Sequence, residues 1–139
     1  MNFQSESKKS GDAFEELVYQ DLVSRGFDCI QPNVYIEGAG CEVDFVAYDS
    51  KYDLVEYVEA KGGLDGDGKR PGAKRTDNVK KAIANGALIQ TVDTGAYYVV
   101  YFSAEPNEGY ASEMINTALK HDIIDEVRYL LPTNIDFLS

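Results

Sequence analysis

Alternating and helical spacings of apolar residues divide the chain into segments of different period. From Asp12 to Arg25 the residues Phe14, Leu17, Val18 and Leu22 recur at helical spacing and Gly26 supplies a stop, which predicts a helix. "FDCIQPNVYIEG" reads as a first strand interrupted near Pro32, and "CEVDFVAY" as a second with clean alternation. After the turn "DSKYD", "LVEYVEAK" is a third strand, so the second and third form a hairpin. Gly62 to Gly72 holds five of the chain's twelve glycines and is expected to be a loop. Thr76 to about Thr91 is a predicted helix with Val79, Ala82, Ile83, Ala87 and Leu88 on one side. "GAYYVVYFSA" is a strongly apolar strand expected to be buried on both faces. "ASEMINTALKHDIID" is a final predicted helix, and "EVRYLL" one short strand more.

A meander of antiparallel strands, then a crossover helix and another strand, indicates an α/β protein with a mixed sheet flanked by helices. The 139 residues suit one domain with a real core, without internal repeat, linker or low-complexity segment. With 44% hydrophobic and 27% charged residues the composition is that of a globular protein, and no stretch approaches the roughly 20 apolar residues that span a bilayer. "MNFQSESKKSGD" has charge but no apolar core, so no secretory signal is expected. Cys29 and Cys41 are too few for a disulfide framework and too isolated for a zinc site. Reduced thiols and a cytoplasmic location are the expectation.

A net charge of −11 argues against general affinity for nucleic acid, which rests on neutralising phosphates with Lys and Arg. The charge is uneven, however. Six of the thirteen Lys and Arg fall between Lys69 and Lys81, where only Asp77 opposes them.

The third strand ends on Glu59 and Lys61, two residues apart and therefore on one face. A lone pair of this kind is what a solvated sheet face carries. The hairpin changes the weighing. A four-residue turn, Ser50 to Asp53, pairs Asp49 with Leu54 and puts Asp44 opposite Glu59, and like charges directly opposed are destabilising. A divalent cation bridging the two carboxylates would compensate, and hard oxygen ligands suit Mg²⁺ or Mn²⁺. Lys61 on the same face is placed to contact an attacking water or a phosphate oxygen. On the first helix Glu15 borders the apolar arc of Phe14, Val18 and Leu22, whereas Glu16 points away. Glu15 has two readings: a third acid reaching the sheet, or the third position of a capping box begun by Asp12. Glu42 shares a face with Asp44 and reads as an outer group or a solvated residue.

"GDAFE" on the first helix, "EVDF" on the second strand and "VEAK" on the third together resemble the PD-(D/E)XK nuclease superfamily, the restriction-endonuclease-like fold. Its helix-strand-strand-strand-helix-strand order matches the predicted elements over roughly Gly11 to Ala104, and 105–139, a C-terminal helix and extension, completes the order α-β-β-β-α-β-α. The resemblance implies a helix glutamate at Glu15, the aspartate at Asp44, the Asp/Glu at Glu59 and the lysine at Lys61. Val43 stands where the name-giving proline would. It further implies Mg²⁺-dependent hydrolysis of DNA phosphodiester bonds, with Mn²⁺ able to substitute. Asp44 and Glu59 would hold the metal, with Glu15 directly or through water, and Lys61 would orient the nucleophile or stabilise the charged phosphate. The small size is similar to that of stand-alone junction-resolving, phage or homing endonucleases, which implies a bacterial or phage-infected cell and a possible homodimer.

The glycine-rich segment contains Gly63-x-x-x-x-Gly68-Lys69, the beginning of a P-loop, but Arg70 replaces the Ser/Thr that would hold Mg²⁺ and Pro71 opposes a helix. A calcium loop fails as well, because Thr76 stands where its last glutamate belongs. Lys69, Arg70, Lys74 and Arg75, followed by Lys80 on the next helix, are better read as contacts to DNA phosphates beside an acidic site than as a solvated charge run. The resemblance also implies that this helix can carry a further catalytic polar residue, for which Asn78 and Lys80 are the candidates. His121 is the only histidine and reads as a surface residue, and the tyrosines as packing. Two other function classes remain: a non-catalytic acidic binding or inhibitor protein that mimics DNA, which the basic segment opposes, and a nucleotide-binding regulator.

Overall fold

The structure, a computed structural model, describes residues 3–62, 76–106 and 109–131. Helix α1 (Phe3–Ser24) is followed by strands β1 (Cys29–Ile36), β2 (Cys41–Asp49) and β3 (Leu54–Lys61). Helix α2 (Thr76–Val92), strand β4 (Tyr98–Phe102), helix α3 (Tyr110–Lys120) and strand β5 (Glu126–Tyr129) complete the order. The five strands form one mixed sheet in sequence order. β1, β2 and β3 pair antiparallel, then β4 and β5 add in parallel. The chain is thus an α/β protein of three helices and a five-stranded sheet, and among the described residues no helix is long and apolar enough to cross a membrane.

Two cores lie on opposite faces of the sheet. Phe14, Val18 and Leu22 of α1 pack on Phe45, Ala47, Val58, Val99 and Tyr101. Val79, Ala82 and Ile89 of α2 and Ala111, Ile115 and Ala118 of α3 pack on Tyr98, Val100 and Phe102. β4 serves both cores by alternation, so all five of its residues are buried, as its unbroken apolar run predicts.

The helix ends have legible causes. At the end of α1, Gly26 takes φ +100°, its N–H bonds to Val23 O and the Phe27 N–H to Leu22 O, the paired bonds of a Schellman cap. α3 ends the same way, but with Asp122 at φ +58° in the glycine's place. It therefore stops at Lys120 rather than running to Asp125 as its composition predicts. α1 begins at Phe3, well before Asp12. Asp12 is then interior to the helix, and the capping box with Glu15 does not form.

The hairpin turn has the expected length, with Asp49 paired to Leu54 and the ladder running to Phe45 opposite Val58. Beyond that point β2 coils away. Cys41 and Val43 reach the core under α2 and α3, whereas Phe45 and Ala47, of the same parity, reach the core under α1. The strand rotates at Asp44, and the facing residue of β1, Asn33, takes φ +53°. Pro32 just before it is tolerated because β1 is an edge strand.

Beneath α1 the sheet carries a buried ionic network absent from the sequence-based expectations. Arg128 of β5 clamps Glu56 of β3 through two bonds of 2.9 and 2.8 Å, reaching across β4, where it also donates to the Tyr101 hydroxyl at 2.8 Å. Glu126 accepts from Arg128 Nε at 2.5 Å. Tyr101 passes the chain on to Asp21 of α1 at 2.6 Å. Arg128 and Glu56 are each only 8% exposed, so each depends on the other for neutralisation. Arg128→Met is expected to cost about 3–5 kcal/mol of unfolding free energy in urea denaturation, since it leaves a buried carboxylate unpaired. The Glu56→Leu/Arg128→Met double variant should recover most of that loss. A double variant as unstable as the single one would contradict this account of the pair.

Candidate active site

Where β2 coils away from β3, the main-chain N–H of Ala60 loses its ladder partner. The Asp44 carboxylate takes it, accepting from Ala60 N at 2.7 Å. Asp44 is thereby fixed beside the end of β3, and Glu59 and Lys61 lie there on the face that α2 covers. Glu15 comes to the same place from α1. It is half-buried beside Phe14 and Val18, which seat the helix on the sheet.

The electrostatics show how closely these side chains meet. Glu59 is 2% exposed. Burial, a hydrogen bond to Asp44 and the Asp44 charge push its pKa up to about 8, against opposing pulls from Lys61 and Asn85. Burial, the Asp44 charge and a hydrogen bond to Asp44 push Glu15 up to about 7, with Asp12 adding to the rise and Lys61 opposing it. Asp44 is the shared neighbour of both glutamates, and Lys61 is the cation that acts on both. Three acids thus share one lysine, and burial beside Asp44 strengthens the hold of both glutamates on a proton.

Of the residues singled out from sequence, Glu15, Asp44, Glu59 and Lys61 are brought together. Glu42 is exposed on β2 and His121 is exposed after α3. Asn78 is half-buried in the first turn of α2. Lys80 is exposed on the flank of α2 that faces α3, lining with Thr76, Ile83, Tyr110 and Met114 a cleft of about 770 Å³. Lys69, Arg70, Lys74 and Arg75, with the glycine-rich stretch around them, lie outside the described residues.

Sequence reasoning missed Asn85. Its amide donates a short hydrogen bond to Glu59 Oε2 from α2. The expected apolar side of α2 included Ala87 and Leu88, but both are exposed, and the buried stripe is Val79, Ala82, Gly86 and Ile89. The cause is Gly86: a Cβ there would lie 2.6 Å from Ile123 O and 2.9 Å from the Tyr98 ring. The missing side chain lets α2 come down on that side, which turns Asn85 toward the sheet. An asparagine at the margin of an otherwise small and apolar stripe was the available signal.

At the exit of β3, Gly62 has φ +154°, and a side chain there would overlap Ser103 Oγ and Cβ. The Ser103 N–H bonds to Lys61 O at 3.3 Å, which ties the lysine's backbone to the end of β4. Ser103 Oγ is buried and has no hydrogen-bond partner among the described residues.

Chemically the cluster offers carboxylate oxygens from three elements and one ammonium. That donor set suits a hard divalent cation rather than zinc or copper. Among the described residues no three His, Cys, Asp or Glu side chains are grouped so as to hold a metal ion. No family model, curated protein or solved structure matches the chain.

Glu59 has a folded-state pKa near 8 against about 4.5 in the unfolded chain, so between these values the folded state holds the extra proton. Its contribution to stability is therefore fully present below about pH 4.5 and is lost as the pH rises toward 8. Glu59→Gln removes that dependence while keeping an acceptor for Asn85. In chelator, thermal unfolding is expected to show the variant more stable than the parent at pH 8, with the gap closing toward pH 5. A gap that does not change with pH would mean that Glu59 ionises as an ordinary surface acid does.

Proposed function

We propose that the protein is a metal-dependent DNA endonuclease of the PD-(D/E)XK type, hydrolysing phosphodiester bonds. The observation that carries this reading is the meeting of Glu15, Asp44, Glu59 and Lys61, from α1, β2 and β3, at the point where β2 leaves β3. Chain order supports it as well: helix, three antiparallel strands, helix, parallel strand and helix follow the restriction-endonuclease-like succession, and β5 extends the sheet by one strand.

In this reading Glu15, Asp44 and Glu59 hold Mg²⁺, or Mn²⁺ in its place. Bound there, the ion supplies a lowered pKa for water and neutralisation of phosphate charge. The chain's own groups do the rest. Asp44 is held in orientation by the Ala60 N–H. Glu59 and Glu15 release their protons to serve as oxygen donors. Lys61 sets its ammonium against the phosphate oxygens, where positive charge counts most as negative charge builds up. Its backbone, anchored on Ser103, limits how far that ammonium can wander. The cations from Lys69 to Arg75, entering directly after β3, supply phosphate contacts that an acidic site needs in order to hold a polyanion. Cutting both strands of a duplex would take two copies.

Supercoiled plasmid and a branched DNA, each incubated with Mg²⁺, with Mn²⁺ and with chelator, test the reading. The parent is expected to nick in a metal-dependent way, and Asp44→Asn and Lys61→Met to lose about 10²-fold or more in rate. Nicking that survives in both variants would place the chemistry elsewhere. A parent that is folded and inert on every DNA tried would favour the acidic binding protein instead.

A further inference from the structure

Asn85 is placed by an unusually firm mounting. The Tyr98 hydroxyl, on a side chain 1% exposed, donates to Ala82 O at 2.8 Å, one turn of α2 before Asn85. On the residue after Asn85, the bare Gly86 backbone rests on the same Tyr98 ring and on Ile123 O. One turn further on, Gln90 donates to Asp122 O from the same helix. The backbone of α2 is therefore fixed to β4 and to the α3–β5 connection on both sides of Asn85. Tyr98 itself pairs in register with Tyr57, two residues before Glu59. The distance from the amide of Asn85 to the carboxylate of Glu59 is thus set by the backbones of α2, β3 and β4 rather than by two free side chains.

The choice of an amide is also informative. Glu59 is nearly inaccessible and already faces Asp44 and Lys61. A second lysine at position 85 would neutralise the carboxylate and compete with any cation, and an acid would add a fourth negative charge. An amide donates a hydrogen bond and alters the charge by nothing. With Oε2 engaged by Asn85, the carboxylate cannot turn about its own axis, and its hydrogen bond to Asp44 is the contact that an entering cation would replace.

We propose that Asn85 is a positioning residue for the cation site, holding Glu59 in the orientation in which one oxygen is presented to a divalent metal. The proposal rests on the reading of the cluster as a metal-dependent nuclease site. Groups that orient a metal ligand in this way typically govern affinity by about 10–100-fold. Calorimetric titration of the full chain with Mn²⁺, for the parent, Asn85→Ala and Asn85→Gln, provides the test. The glutamine keeps an amide but carries it one methylene beyond the place that the backbone sets, and it serves alone if the alanine variant does not fold. Both variants are expected to bind Mn²⁺ about 10–100-fold more weakly than the parent. At a fixed, limiting Mn²⁺ concentration their kcat for nicking should fall while KM for DNA stays unchanged. Thermal unfolding in chelator should move little, and the stabilisation that Mn²⁺ adds should shrink. A folded variant with parental Mn²⁺ affinity, or one that loses the same stability with and without Mn²⁺, would overturn the positioning role while leaving the nuclease reading in place. A parent that neither binds Mn²⁺ nor nicks would overturn both.

Discussion

The departure of β2 from β3 at Asp44 is the constraint on which the rest of the molecule depends. A regular hairpin would continue the ladder and leave Asp44 directly across from Glu59, two like charges opposed. Instead the strand coils, the Ala60 N–H is left without a main-chain partner, and Asp44 turns in to satisfy it. That one bond draws a carboxylate into a place where Glu59 is buried by α2 and Glu15 arrives from α1. The repulsion that follows is met by retained protons, by Lys61 and by the Asn85 amide, and none of these fully neutralises three acids.

The opposite side of the same strand shows what full neutralisation looks like. Glu56, three residues before Glu59, is also buried, but Arg128 grips it through two bonds, and the Tyr101 hydroxyl accepts a further bond from the same guanidinium. Within four residues β3 therefore carries two buried glutamates treated in different ways. The one beneath α1 is locked by a guanidinium that cannot lose its charge, as a structural pair requires. The one beneath α2 is given only a neutral donor and a shared ammonium. Such an arrangement costs stability in the absence of a cation, and that cost is a recurrent mark of binding and catalytic sites.

Much of this was legible in the chain. The four-residue turn, the register of β2 on β3, the Gly26 stop and the doubly buried β4 all follow from period, glycine placement and apolar runs. So does the placing of Glu59 and Lys61 at one strand end. Local pattern could not disclose what depends on contacts between distant elements. The true start of α1 at Phe3 was hidden because the residues before Asp12 carry almost no apolar period, and with it fell the capping reading of Glu15. The buried stripe of α2 is set by Gly86 meeting Tyr98 and Ile123, which no helical wheel contains, so Asn85 was overlooked. α3 ends on an aspartate in a conformation usually left to glycine, and composition alone carries the helix past it. Arg128 and Glu56 are 72 residues apart and meet only once β4 lies between their strands.

On the proposed reading, a cation that enters beside Asp44 displaces protons from Glu59 and Glu15, whose hold on them is strengthened by burial and by the Asp44 charge. Calorimetry of Mn²⁺ binding near pH 6.5, repeated in buffers of different ionisation enthalpy, counts the protons released as the ion enters. Saturable binding with proton release, diminishing as the pH is raised past about 8 and abolished in Asp44→Asn, is the expected result. Absence of saturable binding, or binding that releases no proton and survives the loss of Asp44, would contradict it.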